Sequence, residues 1–383
     1  MTRTVLSLGN FFAAAQLFLV IFILGPYLSQ SLPAAETGLV IASGAVLALI
    51  MFPLMPDVIA RYDARRLLIA LSIVEAAALL WLAAAPSAIV TLLLVALATA
   101  LPSIISYLLD LMLEATVRQE SSTGTVRTMF LTAGNVAIVL GTLATGFILT
   151  SEDSYAIVFF AGAIALLPLI FLFIARRIPQ SMPPQKARLH ATVMRMLGNE
   201  DLRSVSLSYL VLQSFYQMTR LYIPLYFHDV LGMSWGPLAW LLALSLLPFI
   251  LFEYPAGRAL DRHVDDREFL FIGFIGTGFA YAMIAFMTAS TSYAFVLGAF
   301  IAMNTCAVLV EAATESHFFR LVSEKDASTI GAFRMLRPFS ALAAPLIGSA
   351  LLALFGYSWL FTLTGTLIIG LGSFAALRLS GTR

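Results

Sequence analysis

Residues 106–115, SYLLDLMLEA, place two carboxylates, Asp110 and Glu114, one helical turn apart inside a long apolar run. In hydrocarbon each charge costs roughly 2.5–3.5 kcal/mol on insertion scales, so such acids face a partner, the protein interior or a water-filled cavity rather than lipid. The surrounding sequence is just as apolar: 60% of the 383 residues are hydrophobic and 11% are charged, against about a quarter charged in a soluble domain. Apolar runs of about 20 residues recur from end to end, each long enough to cross a roughly 30 Å hydrocarbon core. The chain therefore reads as an all-α, multi-pass integral membrane protein.

Twelve transmembrane helices are expected, at roughly 5–28, 37–59, 67–85, 88–117, 125–149, 155–175, 204–227, 235–257, 268–289, 292–319, 329–354 and 357–378. Arg3 precedes the first run, which is too long for a signal peptide and leads into further spans, so it is read as the first helix. Residues 176–203, rich in Pro and basic side chains, read as a cytoplasmic linker between an N-terminal six-helix bundle (1–175) and a C-terminal one (204–383). Lys and Arg gather at one end of the spans, with Arg220 the exception, which places both termini in the cytoplasm by the positive-inside rule. A plasma (inner) membrane location and a monomer are expected. A net charge of +1 gives no case for a nucleic-acid partner. The single Cys306 excludes an internal disulfide framework or a Cys-rich metal site, and His190, His228, His263 and His317 are too dispersed to bind a metal. No cofactor is expected, and the absence of a Walker Gly-rich loop argues against direct ATP drive.

The two halves repeat. PDVIARYDARR (56–66) aligns with GRALDRHVDDR (257–267), setting Arg61 on Arg262 and Arg66 on Arg267, since 262 − 61 = 201. The same offset sets Asp110 on Glu311, Glu114 on Glu315 and Ser103 on Asn304. Parallel repeats with a site between them are a transporter pattern.

On these residues the chain resembles the major facilitator superfamily over essentially its full length. The family's loop element Gly-x-x-x-Asp-Arg-x-Gly-Arg-Arg is kept in the second half by Gly257, Asp261 and Arg262. In the first half Pro56, Ala60 and Asp63 replace the first Gly, the Asp and the second Gly, leaving Arg61 and Arg65. LGTLATG (140–146) is similar to the family's antiporter element with Thr142 in place of Pro, and AAPLIG (343–348) keeps Pro345. The resemblance implies two pseudo-symmetric six-helix bundles working as a rocker switch, with helices 1, 4, 7 and 10 lining the cavity and a charge network at the inner gate.

Polar stripes fit that frame. Ser103, Tyr107, Asp110 and Glu114 share one face of the fourth helix, as Asn304, Glu311 and Glu315 do on the tenth. Depths counted at 1.5 Å per residue put Glu114 and Arg127 about 3–5 Å from the cytoplasmic end, Glu315 and Arg334 about 6–8 Å, and Glu311 and Arg337 each about 12 Å. Acids and cations at matching depth are expected to pair, Glu114 with Arg127 and Glu315 with Arg334 as gate pairs, and Glu311 with Arg337. At Asp110, about 10 Å deep, the fifth-helix positions are Ala133 and Gly134, so no cation is expected beside it. Asp110 and its repeat mate Glu311 are the expected proton-coupling residues. A solvated Asp110 with no transport role is the alternative.

The seventh helix carries Tyr209, Gln213, Tyr216, Gln217 and Arg220 at helical spacing, where the first helix has only Gln16. Gln213, Tyr216, Gln217 and Arg220, with Tyr107 and Asn304, are the expected substrate contacts. Arg220, about 24 Å from the cytoplasmic end, suits an anion by bidentate contact, or else snorkels outward or pairs with Asp229. Glu75, midway along the third helix, has Gly276 as its repeat mate and no assigned partner. The function expected is secondary active transport of a small solute by alternating access, coupled to protons, with a lean towards efflux of amphipathic drugs or metabolites. Uptake of an organic anion or sugar-like solute is the alternative. A membrane enzyme or a non-transporting sensor is more distant.

Overall fold

The computed structural model describes residues 2–84, 86–117, 123–149, 154–176, 189–262, 265–322 and 327–380, without the side chains of 2–3, 114–117, 123–129, 131, 189, 253–254, 258, 261–262 and 327–328. The described residues are almost entirely helical, and no strand occurs among them. Nine of these helices are long and apolar enough to cross a membrane. Three observations account for the difference from twelve. Thr329–Arg378 is counted once although its backbone turns at Gly356 (φ 76°, ψ −178°), a left-handed conformation that glycine adopts without a Cβ clash. Glu200–Pro224 carries the polar stripe of the seventh helix. Thr132–Ile148 is apolar but short, being the described apolar part of Thr123–Ile148.

Helix limits follow the sequence to within a few residues, and two departures have a visible cause or contact. The seventh helix begins at Glu200 rather than 204, because Asn199 caps it: its side-chain oxygen accepts from Leu202 N at 3.0 Å, satisfying a donor that a helix start leaves bare. The expected linker also contains a helix, Leu189–Gly198, tied down where Arg195 Nη2 donates to Thr329 Oγ1 at 2.6 Å.

The chain separates into two compact units, 1–184 with 227–229 and 233–243, and 185–226 with 230–232 and 244–383. In the first, the first helix (Thr2–Val20, continued by Leu24–Ser29) packs on the fifth (Thr123–Ile148) and the sixth (Tyr155–Ala175). Lipid supplies no hydrophobic drive between helices, so small residues and interhelical hydrogen bonds hold them. A Cβ on Gly141 would lie 2.7 Å from Ala15 O. Thr145 Oγ1 donates to Leu19 O at 2.9 Å, and Asn10 Nδ2 to Phe130 O at 2.9 Å. The LGTLATG element is thus a close-packing surface within this unit.

The second unit uses the same device. Gly278 of the ninth helix (Asp266–Met283) meets Gly365 near enough that a Cβ would sit 2.6 Å from Gly365 O. Tyr222 Oη donates to Pro345 O at 3.0 Å, joining the seventh helix to Leu336–Arg378.

Asp63, which stands where the family's loop element has its second Gly, has a positive φ. It links Met55–Tyr62 to the third helix, Ala64–Ala83, at φ 69° and ψ 140°. A non-glycine residue held there costs on the order of 1–3 kcal/mol. Asp63→Gly is expected to raise stability by about 1 kcal/mol, read as a higher thermal midpoint in detergent. Gly141→Leu is expected to lower that midpoint, by about 1–3 kcal/mol of overpacking.

Candidate functional site

The seventh, tenth (Tyr293–Leu321) and eleventh helices of the second unit bring polar side chains together. Tyr216 Oη donates to Glu311 Oε2 at 2.8 Å. Arg220 lies over the Tyr216 ring, its Cζ 5.8 Å from the centroid. Arg337 Nε donates to Gln213 Oε1 at 3.4 Å, a long contact from an exposed guanidinium to a buried amide. The Glu311 carboxylate sits in the fields of Arg337, Arg220 and Glu315. Tyr216, Gln217, Arg220 and Glu311 are all half-buried, so the cluster is sheltered yet reachable.

Two expectations change here. Glu311 takes Tyr216 as its hydrogen-bond partner rather than Arg337, which reaches Gln213. Arg220, counted as some 12 Å further from the cytoplasmic end than Glu311, joins the same cluster. A count of helical rise locates Cα atoms, whereas helical side chains lean towards the helix N-terminus. Two spans, Trp235–Gly257 and Asp266–Phe286, separate the seventh helix from the tenth, so the two run in opposite directions and Arg220 and Glu311 lean towards each other. Asp229, the other acid weighed for Arg220, accepts from Ser29 Oγ at 2.7 Å.

Nearer the helix ends, Glu315 and Arg334 form a two-point ion pair, Nη1–Oε1 2.6 Å and Nη2–Oε2 3.1 Å. Beside it is a group that sequence reading missed. Asp266, at the start of the ninth helix, accepts from Arg320 Nη2 and lies 2.8 Å from His317 Nδ1, with Asp266 and His317 both buried. His317 and Arg320 share a helix face three residues apart, but nothing local in the sequence points them at Asp266. Arg65, expected at the gate, caps the sixth helix: its Nε donates to Phe173 O at 2.6 Å and its Nη2 to Ile174 O at 3.0 Å. Arg61 is exposed. The side chains of Glu114, Arg127, Asp261 and Arg262 lie outside the described residues.

The other expected contacts divide. Asn304 is buried and donates to Ser245 O at 2.8 Å, tying the tenth helix to the eighth. Tyr107 packs edge-on against Phe52 (5.4 Å between centroids). Asp110, on the fourth helix, is exposed. Among the described residues, the buried carboxyl of the first unit is Glu75, which accepts from Gln16 Nε2 at 2.9 Å. It had no assigned partner because the donor lies 59 positions away on another helix.

The sequence profile of the Major Facilitator Superfamily matches residues 6–239 and 205–382. The chain belongs to that superfamily and is a multi-pass membrane transporter of small solutes, not an enzyme. No curated protein matches the sequence. Among solved structures it is similar to the nucleoside transporter NupG, at 13% identity and a TM-score of 0.78, with 98% of each chain covered. A variant of NupG gives 14% identity, a TM-score of 0.77 and the same coverage. At those identities the likeness speaks for the fold.

The Glu315–Arg334 pair is partly exposed, with side-chain exposures of 29% and 38%, so solvent screens it. A double-mutant cycle of Glu315→Ala and Arg334→Ala, read by thermal unfolding, is expected to give a coupling of about 0.5–1 kcal/mol.

Proposed function

We propose that this protein is a proton-coupled secondary transporter that takes up a polar solute, an organic anion or a hydroxyl-rich, sugar-like molecule. It works by alternating access, as a monomer in the plasma (inner) membrane with both termini in the cytoplasm. One observation carries the reading: the grouping of Tyr216, Glu311, Arg220, Arg337 and Gln213. Two guanidiniums, a carboxylate, a phenol and an amide offer donors and acceptors in several directions. A site built of hydrogen-bonding groups discriminates strongly against solutes that leave those groups unpaired. That disfavours an amphipathic drug, which cannot satisfy the cluster, and so turns the sequence-level lean towards efflux to its alternative.

The roles follow from the chemistry. Arg220 and Arg337, with Glu315 already occupied by Arg334, leave a positive excess around Glu311 that suits a carboxylate or phosphate. Glu311 accepts hydrogen bonds from solute hydroxyls when Tyr216 yields its place. Gln213 and Gln217 serve either sign. A nucleoside, the solute named for the similar solved structures, falls within the hydroxyl-bearing class.

The test is a thermal-shift panel of gluconate, uridine and tetraphenylphosphonium on the purified wild type and on Arg220→Ala. A ligand at about 100 times its dissociation constant stabilises the folded state by roughly 2.7 kcal/mol. Gluconate or uridine is expected to raise the wild-type midpoint and to lose that effect in Arg220→Ala. Equal stabilisation of both proteins by tetraphenylphosphonium alone would overturn the reading and restore efflux of lipophilic compounds.

A further inference from the structure

The third helix presents a buried seam of Leu68, Ser72, Glu75, Leu79 and Leu82, spaced 4, 3, 4 and 3. Four of these positions suit a packed interior. Glu75 does not, yet it is 0% exposed and lies about 16 Å along the helix from Ala64, near mid-membrane. The sixth helix closes over the seam one turn further on, where a Cβ on Gly162 would meet Leu79 and Val20 of the first helix.

The hydrogen bonding of this carboxyl is half complete. Oε1 accepts from Gln16 Nε2 at 2.9 Å, while Oε2 is buried with no partner among the described residues. Ser72 Oγ, one turn away on the same seam, is also buried without a partner among the described residues. A buried polar atom left unsatisfied calls for an explanation. A single amide donor and a bare second oxygen match a carboxylic acid whose proton sits on Oε2. An ionised carboxylate would call for further donors.

Few groups that could hold a charge lie on the elements packed around the third helix. From the first helix the facing group is Gln16, and the side chain of Arg3 lies outside the described residues. The sixth helix carries Tyr155, whose ring packs on Tyr27. The fourth helix carries Tyr107, Asp110 and Glu114, the last with its side chain outside the described residues. Met55–Tyr62 carries Asp57, Arg61 and Tyr62, and the third helix its own Arg65 and Arg66. Of all these, Gln16 is the group whose contact bears on Glu75.

We propose that Glu75 is the proton-carrying carboxyl of this transporter, held by Gln16 when protonated and joined by the Ser72 hydroxyl when the proton leaves. This rests on the proton-coupled transport proposed above. The proton departs from Oε2 to water on one side of the membrane and is regained from the other. On its loss Oε2 becomes an acceptor, and rotation of the Ser72 side chain supplies a donor one helical turn away. Gln16, on the first helix, links that change to an element outside the third helix.

Infrared difference spectroscopy of the full-length protein in lipid vesicles, taken through pH steps with no solute added, tests the site. A carboxylic C=O band that titrates in the wild type is expected to vanish in Glu75→Gln and to persist in Glu36→Gln, a change at an exposed helix end. Glu75→Asp keeps a carboxyl and is expected to shift the band rather than remove it, which serves if Glu75→Gln fails to fold. An unchanged band in Glu75→Gln, or no shift in Glu75→Asp, overturns the proposal. Coupling is read with gluconate in the same vesicles. Glu75→Gln is expected to lose about tenfold in accumulation driven by a pH gradient, with exchange at equal pH falling far less. Equal loss of both modes marks a purely structural carboxyl and overturns the proposal. If wild-type vesicles neither accumulate nor exchange gluconate, the solute reading fails, and the infrared band still decides Glu75.

Discussion

Hydrocarbon offers nothing to hydrogen-bond with, and every polar group inside a span must find its partner in the protein. This constraint organises the molecule. It makes the chain helical, because a helix satisfies its own backbone. It also turns several interior side chains that can ionise or hydrogen-bond into ties between helices. Glu311 joins the tenth helix to the seventh through Tyr216, Asn304 joins the tenth to the eighth through Ser245, and Glu75 joins the third to the first through Gln16.

The same constraint shapes the apolar contacts. Between helices that lipid solvates as well as their neighbours do, close approach is what remains to hold them. Gly141 against Ala15 and Gly278 against Gly365 are where backbones come nearest. A threonine in the first of these regions adds an interhelical hydrogen bond, Thr145 to Leu19. The element that resembles an antiporter signature therefore has a local use in packing, whatever it does in transport.

The two units divide their polar chemistry unevenly. The second concentrates it in the Tyr216–Glu311–Arg220–Arg337 group and in the Asp266–His317–Arg320 group. The first, among its described residues, holds one deeply buried carboxyl with a single amide donor. A charge-rich cluster suits recognition of a polar solute, and a lone buried acid suits a group that changes protonation. The repeat thus carries different chemistry in its two copies, as Asp110 against Glu311 and Glu75 against Gly276 already suggest.

Helix positions were legible because they depend on local composition. Apolar runs, prolines and the Gly356 turn are written in neighbouring residues, and the 201-residue offset located the acids by comparing the chain with itself. The Glu315–Arg334 contact could also be reached, since both lie near the ends of helices that follow one another in the chain. Cross-helix choices could not. Which oxygen Tyr216 meets, that Arg65 caps the sixth helix, that Asn304 is spent on Ser245, and that Glu75 is buried against Gln16 depend on helix rotation and side-chain lean. Neither has a period in the sequence. Sequence alone determined an all-helical, multi-pass membrane protein with acids inside its spans. The tertiary structure decided which of those acids stand among cations and which stands with one amide, because only packing sets the neighbours across a helix interface.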